Sequence, residues 1–397
     1  MVEFKPVLRF GVMSDIHYNE DRPIARERFA SALDTMYSYA EKQEYKIVDA
    51  LYIVGDFADT SKREQMQMLK EDCDKYLKDE TLLTLTLANH ELHYGESEQK
   101  SLEFFAEVFG MPTDRHKIIN GFHFISVSTT NDGGKWHDSF DAAKRDYLKT
   151  ELEKAASQGQ NKPIFVFQHP GVYNTSPGAA FGNLGIYDIL KEYQSVVDFA
   201  GHSHLAANDP REIHQRDFTV VGTGSLLAIS TGRSWLYKEL SGVGYNPLDF
   251  AQMSVVEVDE QGIIRIKYID AVSKSFFEEE RIIDVTKGKE GFTYTENRTA
   301  SAPVFDLSAT VTLQTEDEKL KVKFPKAEGD VWYYGIKLFD RNKSLIKEEN
   351  IPSHFASASP ETEYSVTLCA DEKLVCFAEV TAVGFFGNFS TPISKHE

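Results

Sequence analysis

Short apolar runs recur through the first two hundred residues, and each breaks onto polar residues of a few kinds. Val7 to Val12 runs into Met13-Ser14-Asp15-Ile16-His17, and Leu51-Tyr52-Ile53-Val54 into Gly55-Asp56-Phe57-Ala58-Asp59. Leu82 to Leu87 runs into Ala88-Asn89-His90-Glu91, Ile164 to Phe167 into Gln168-His169-Pro170, and Val196 to Ala200 into Gly201-His202-Ser203-His204. Runs of this length, bounded by turn residues, predict buried strands. Residues just past the carboxyl ends of such strands line the ligand crevice of an open α/β sheet. Gly55 fits there because a glycine lets the backbone turn without a Cβ clash.

Between these runs the period changes to that of a helix. Phe29, Leu33, Met36 and Ala40 share one face of a helix over Arg22 to Glu44, with Pro23 in its first turn. Lys62 to Lys78 is a charged helix with a thin stripe of Met66, Leu69, Cys73 and Leu77, and Leu102 to Phe109 is a shorter one. Gly121 to Val127 reads as a strand. The loop Thr129 to His137 follows, then a helix capped by Ser139 that turns Leu148, Leu152 and Ala155 inward. Alternating strands and helices predict a layered α/β fold. Gly171 to Gly185 and Arg233 to Pro247 are long loops expected beside the crevice. Phe218 to Val221, Met253 to Val258 and Ile263 to Asp270 are strands expected to form a second sheet facing the first.

Near residue 290 the helical periods stop. Ser308 to Leu313, Leu320 to Phe324, Val331 to Phe339, Glu363 to Leu368 and Leu374 to Val383 alternate at period two, the pattern of a small β-sandwich. Its closing stretch Ala382 to Pro392 resembles the last hairpin of fibronectin type III domains. The division expected is residues 1–290 and 295–397.

Composition narrows the class. The chain has 397 residues, 41% of them hydrophobic and 26% charged, enough for two cores. A formal charge of −19 argues against nucleic acid polymers as partners, which need a basic surface. No apolar run approaches the roughly 20 residues of a membrane span, so no membrane partner is expected. The opening Met1-Val2-Glu3-Phe4-Lys5 leads directly into a strand without a signal-like segment, and three cysteines suit a reducing compartment. A cytoplasmic location is expected, with Cys369 and Cys376 as reduced structural residues.

Aspartate, asparagine and histidine at five strand ends are metal-ligand types. Imidazole and carboxylate together suit Mn, Fe or Zn, where an all-oxygen set would suit Mg or Ca. The assembled order is Asp-x-His, Gly-Asp-x-x-Asp, Asn-His-Glu, His, then Gly-His-x-His. It resembles the calcineurin-like metallophosphoesterase family over about residues 7 to 270. That resemblance implies a four-layer α/β/β/α sandwich, here followed by the small immunoglobulin/fibronectin-like sandwich. It also implies two divalent cations sharing one aspartate. Carried over by motif, Asp15, His17, Asp56 and His204 hold one cation, and Asp56, Asn89, His169 and His202 hold the other.

A hydroxide between two such ions attacks phosphorus in this family, and the ions neutralise the phosphoryl oxygens. His90 matches the family histidine that serves the leaving group as general acid, and Asp59 the aspartate that orients it. The arginines that phosphoprotein phosphatases carry near the second and third motifs have no counterpart at Asp59-Thr60-Ser61 or Glu91-Leu92-His93. Asn-His-Glu with Gly-His-x-His looks most like class III cyclic nucleotide phosphodiesterases and their bacterial relatives, although Ala88 replaces their usual glycine. The expected activity is hydrolysis of a small phosphorylated substrate, a phosphodiester before a phosphomonoester. The terminal sandwich is expected to serve protein or glycan contact, or oligomerisation.

Overall fold

The computed structural model describes residues 4–130, 140–158, 162–177, 179, 184–230, 246–316, 319–368 and 375–395. Two compact units emerge from its internal contacts. The first comprises Met1–Ser230 with Pro247–Glu296, and the second contains Asn297–Glu397.

The first unit holds two six-stranded sheets. In one, β1 (Pro6–Met13), β2 (Ala50–Val54) and β3 (Leu82–Thr86) run parallel, side by side. On the other flank of β1 lie β10 (Gln252–Asp259), β11 (Ile264–Asp270) and β12 (Ser275–Ile283), each antiparallel to its neighbour. The second sheet has the order β4 (Arg115–Ile119), β5 (Phe122–Ser126), β6 (Ile164–Phe167), β7 (Val196–Ala200), β9 (Thr219–Gly222), β8 (Ile213–Gln215). Its central strands β5, β6, β7 and β9 are parallel.

This corrects one expectation from sequence. The strands at Met253 to Val258 and Ile263 to Asp270 do not build the second sheet; they extend the first. Only Phe218 to Val221 falls in the second. Strand pairing is a non-local choice that an apolar run does not specify.

Aromatic rings join the two sheets. Phe10 of β1 meets Phe124, Phe165, Phe167 and Phe199 with centroids 5.0 to 6.2 Å apart, and Tyr52 of β2 stacks on Phe167 at 3.8 Å. All six are buried, and each such side chain contributes about 1.5–3 kcal/mol of burial. The first sheet's other face is covered by α1 (Ile24–Glu41), α2 (Arg63–Tyr76) and α4 (Glu98–Phe109). Phe29, Leu33, Met36 and Ala40 are buried as their spacing predicts. Pro23 stands at the N-cap of α1, one residue before the first turn. Ser97 caps α4 by accepting from Lys100 N, and left-handed Gly110 closes it. On the second sheet, α5 (Ala142–Gln158) packs through Leu148, Leu152 and Ala155, and α6 (Tyr187–Leu190) through Leu190. Among the described residues no helix is long and apolar enough to cross a membrane.

The second unit is all β. One three-stranded sheet has the order β13 (Thr312–Glu316), β14 (Lys319–Pro325), β17 (Glu363–Leu368). A four-stranded sheet has the order β16 (Leu345–Pro352), β15 (Val331–Phe339), β18 (Phe377–Gly384), β19 (Ile393–Lys395). Tyr334, Phe324 and Tyr364 fill its core, and the Tyr364 hydroxyl donates back to the Ser353 carbonyl. β16 escapes a reading by periodicity because Lys347-Glu348-Glu349-Asn350 interrupts its apolar residues. Charged residues on an edge strand deter pairing with other chains. The Thr129–His137 loop beyond Thr130, the Ser139 cap, the Arg233–Pro247 insertion up to Tyr245, the middle of the Gly171–Gly185 loop, Leu374 and Cys369 lie outside the described residues.

Candidate metal centre

The loops that leave β1, β2, β6 and β7, and α3 (Asn89–His93) after β3, converge at one end of the two sheets. Backbone bonds lace them together. Ile16 N and His17 N both donate to Asp56 O at 2.9 and 3.0 Å, Tyr18 N to Phe57 O, and Gly201 N to His169 O. Leu226 and Leu227 donate to the carbonyls of Ser14 and Asp15.

The backbone here is strained in a patterned way. Asp15, His17, Asp56, His202 and His204 all have φ between +50° and +72°. Non-glycine residues held in that region cost of order 1–3 kcal/mol each and cluster where function fixes them. Five of the seven residues expected to ligate metal are among them. The turn also demands small neighbours: a Cβ on Gly55 would lie 2.4 Å from His169 Nδ1, and one on Gly201 2.6 Å from Ser14 Oγ.

Among the described residues three groups of ligand atoms result, each with its atoms within 4.8 Å of one another: Asp15/His17/His204, Asp56/His169/His202 and, sharing His17 with the first, His17/Asp59/His90. The first two adjoin, since Asp15 Oδ1 is 3.9 Å from His169 Nε2. His90 N donates to Asp56 Oδ1 at 3.0 Å, so the start of α3, with Asn89 as its first residue, sits against Asp56. All seven residues singled out by sequence therefore border one crevice.

Ring orientation tests whether cations fit. His204 Nδ1 faces the Ala228 carbonyl at 3.1 Å and His169 Nδ1 the Val54 carbonyl at 2.7 Å, so both Nδ1 atoms carry the proton. In the neutral rings each Nε2 then presents a lone pair. That of His204 meets Asp15 Oδ1 at 3.2 Å and His17 Nε2 at 3.1 Å; that of His169 meets Asp56 Oδ2 at 3.0 Å. Acceptors brought face to face want a positive charge between them. Asp15 Oδ1 and Asn89 Oδ1 are moreover buried without a hydrogen-bond partner. Anchoring a ligating imidazole through its second nitrogen is how proteins orient metal-binding histidines. The residues fit two divalent ions.

Charge follows the same logic. Burial by itself raises the Asp15 and Asp56 carboxyls, but positive charge at the surrounding histidine positions, His204 then His169 for Asp15 and His169 then His90 for Asp56, holds both below the ordinary carboxylate value. Bound cations would supply that charge where the rings are neutral. Burial, then the neighbouring His169, pushes His202 down to about 4, leaving a neutral ring ready to ligate. Glu91 is wholly buried. It accepts from Ala58 N at 2.8 Å, Ala88 N at 3.0 Å and Asp56 N at 3.2 Å, pinning the β2 and β3 loops to each other. Burial and then the Asp56 charge push its carboxyl well above the ordinary value.

His90 lies edge-on to His17 with centroids 4.4 Å apart, its Nε2 4.0 Å from Asp56 Oδ2. Its Nδ1 donates to Asp59 at 2.8 Å, but to the main-chain carbonyl. The hydrogen bond between the two residues thus runs through the main chain, where the side chain was expected to orient His90. The Asp59 carboxylate lies within 4.8 Å of ring nitrogens of both His90 and His17, accepts from Asn19 Nδ2 at 2.7 Å and Arg22 Nη1 at 3.1 Å, and faces His17 Nδ1 at 3.6 Å. Glu91 was expected to make structural hydrogen bonds, and it does. Asn19 and Arg22 are the residues sequence reasoning passed over, and their signal is their position in the loop after Asp15-x-His17.

Comparison with known proteins follows the geometry. A purple acid phosphatase from yellow lupin (Lupinus luteus) seeds aligns at 12% identity and TM-score 0.48, covering 74% of this chain and 57% of its own. A hypothetical protein from Pyrococcus horikoshii OT3 aligns at 10% identity and TM-score 0.32, covering 66% of this chain and 88% of its own. The chain thus spans little more than half the length of the lupin enzyme. No curated protein matches the chain. The model of the calcineurin-like phosphoesterase family matches residues 8–206, half of the chain, and the matched segment holds all seven converging residues as well as His90. With its strained strand-end turns, facing acceptors and paired ligand groups inside that segment, the chain belongs to the calcineurin-like phosphoesterases, metal-dependent hydrolases of phosphoric esters.

Proposed function

We propose that this protein hydrolyses a small phosphodiester, with cyclic nucleotides as one candidate class. The observation that carries the reading is the pair of adjoining ligand groups, Asp15/His17/His204 and Asp56/His169/His202, with His90 at their edge. When bound, divalent ions such as Mn, Fe or Zn supply Lewis-acid polarisation of the phosphoryl group and lower the pKa of water.

The chain's own residues then divide the remaining work. Asp56, whose Oδ2 faces His169 Nε2 and whose Oδ1 accepts from His90 N, would serve both ions through its two carboxylate oxygens, and Asn89 would add a neutral donor beside it. Glu91 fixes Asp56 and Ala88 in place through backbone N–H groups. His90, held by the Asp59 carbonyl at Nδ1, turns Nε2 toward the crevice, where a proton can pass to the departing oxygen. Support for a diester comes from charge. Among the described residues Arg22 is engaged by the Asp59 carboxylate, and the motif positions themselves carry no arginine to take the second charge of a monoester dianion.

The architecture is read in the same way. The two facing sheets with helices outside support a four-layer α/β/β/α domain. The three-plus-four-stranded sandwich supports a fibronectin type III-like second domain beyond about residue 295.

The test compares bis-p-nitrophenyl phosphate, p-nitrophenyl phosphate and cyclic nucleotides on the Mn-loaded protein and on His90→Asn. Wild type should prefer the diesters. General acid catalysis contributes roughly 10²–10⁴-fold, so His90→Asn should lose that factor on a nucleoside ester and much less on a nitrophenyl ester, whose phenolate departs unaided. Preference for the monoester sinks the diester reading. Equal losses on both substrate kinds remove His90 from the leaving-group role.

A further inference from the structure

We propose that Asp59 is a positioning residue for His17, and through it for the cation that Asp15, His17 and His204 would hold. The inference rests on the two-cation reading above and deepens it.

His17 has a nitrogen on each side of its ring. Nε2 looks into the ligand group, 3.1 Å from His204 Nε2 and 4.0 Å from Asp15 Oδ1. Nδ1 looks outward to Asp59 Oδ1 at 3.6 Å, an electrostatic contact slightly longer than a hydrogen bond. A carboxylate behind a ligating imidazole fixes its tautomer and raises its basicity. His17 needs such a hold, since its own backbone sits at φ +52° and only its N–H is tied down, to Asp56 O.

Asp59 is built to supply it. Its N–H donates to Tyr18 O at 3.0 Å, so the backbone of the β2 loop is zipped to that of the β1 loop directly beside His17. Asn19 holds Oδ2 and Arg22 holds Oδ1, which points the carboxylate at the imidazole. The main-chain carbonyl of the same residue meanwhile occupies His90 Nδ1. Asp59 thus serves both histidines with different atoms. A side-chain substitution removes the carboxylate facing His17 and leaves the main-chain bond to His90 in place.

The probe is cobalt(II) alone, titrated into metal-stripped full-length protein and followed by visible absorption and total metal content. Wild type should take up two ions. Asp59→Asn should weaken one of the two binding steps by 10–100-fold, with a changed absorption band for that ion, and leave the other step within about twofold. Arg22→Gln, at a half-exposed position whose loss leaves the fold intact, should weaken the same step by a smaller factor. A general loss of structure would weaken both steps together. The proposal is overturned if Asp59→Asn binds both ions as wild type does while losing activity on poor leaving groups, or if both steps fall alike. Fewer than two ions in wild type overturns the two-cation reading itself, and this inference with it.

Discussion

A buried carboxyl away from the metal groups offers a quantitative test of the fold. Asp198 of β7 is fully buried, and its Oδ2 accepts from Gln168 Nε2 at 2.9 Å. Asp198 Oδ1 and Gln168 Oε1 are both buried without a hydrogen-bond partner. A proton on the carboxyl supplies the donor this pair of acceptors lacks, closing an acid–amide pair. Burial accordingly pushes the Asp198 carboxyl up from 3.8 to about 8, against the pull of Gln168. In the unfolded chain the group ionises near pH 4. Between pH 4 and 8 the folded state therefore holds a proton that the unfolded state has released, and stability falls as pH rises. About three pH units separate the ordinary value from pH 7, and at about 1.4 kcal/mol each the cost is about 4 kcal/mol.

Asp198→Asn keeps the shape and both hydrogen bonds, amide to amide, and has no proton to lose. Guanidinium unfolding of wild type and variant, both metal-loaded, should give no difference near pH 4. The variant should then gain about 1.4 kcal/mol per pH unit, reaching about 4 kcal/mol at pH 7 and levelling off above pH 8. The metal ligands titrate alike in both proteins and cancel in the difference. A gain that does not change with pH, or a variant less stable than wild type at pH 7, would show that Asp198 is buried as an anion and refute the reasoning.

Two further outcomes follow from the site and the units. Asp56→Asn should abolish binding of both ions and nearly all turnover, because one side chain serves both groups; elemental analysis after reconstitution that still finds two ions refutes the shared role. A chain ending after Glu296 should keep turnover on small diesters, since every ligand precedes it. Ending it earlier should cost stability, because Gln215 bonds the backbone of Thr293 and Tyr294. An inactive but metal-loaded truncation would place part of the chemistry in the second unit.

What the sequence determined alone is local. A buried strand must be apolar throughout, so the polar residues just after it are conspicuous, and which of them would ligate, Asp15, His17, Asp56, Asn89, His169, His202 and His204, was implied by the family resemblance of the motifs. Period-two alternation likewise exposed most strands of the second unit, and period 3.6 the buried face of α1. Elements with no such contrast stayed hidden: β4 opens with Arg115-His116-Lys117, β12 carries Glu278-Glu279-Glu280, and β16 has its own charged run.

The tertiary structure decided everything that depends on partners distant in the chain. Pairing, which no single run encodes, laid β10 beside β1 and away from the second sheet. The left-handed turns at five of the expected ligands are imposed by loops bonded across the two sheets, against the local preference of aspartate and histidine. The aim of the Asp59 carboxylate depends on Asn19 and Arg22, some forty residues earlier in the chain, and the proton of Asp198 on a glutamine thirty residues before it. Spacing fixes which residues reach the crevice, but the direction in which each atom points is set by neighbours that only folding brings together.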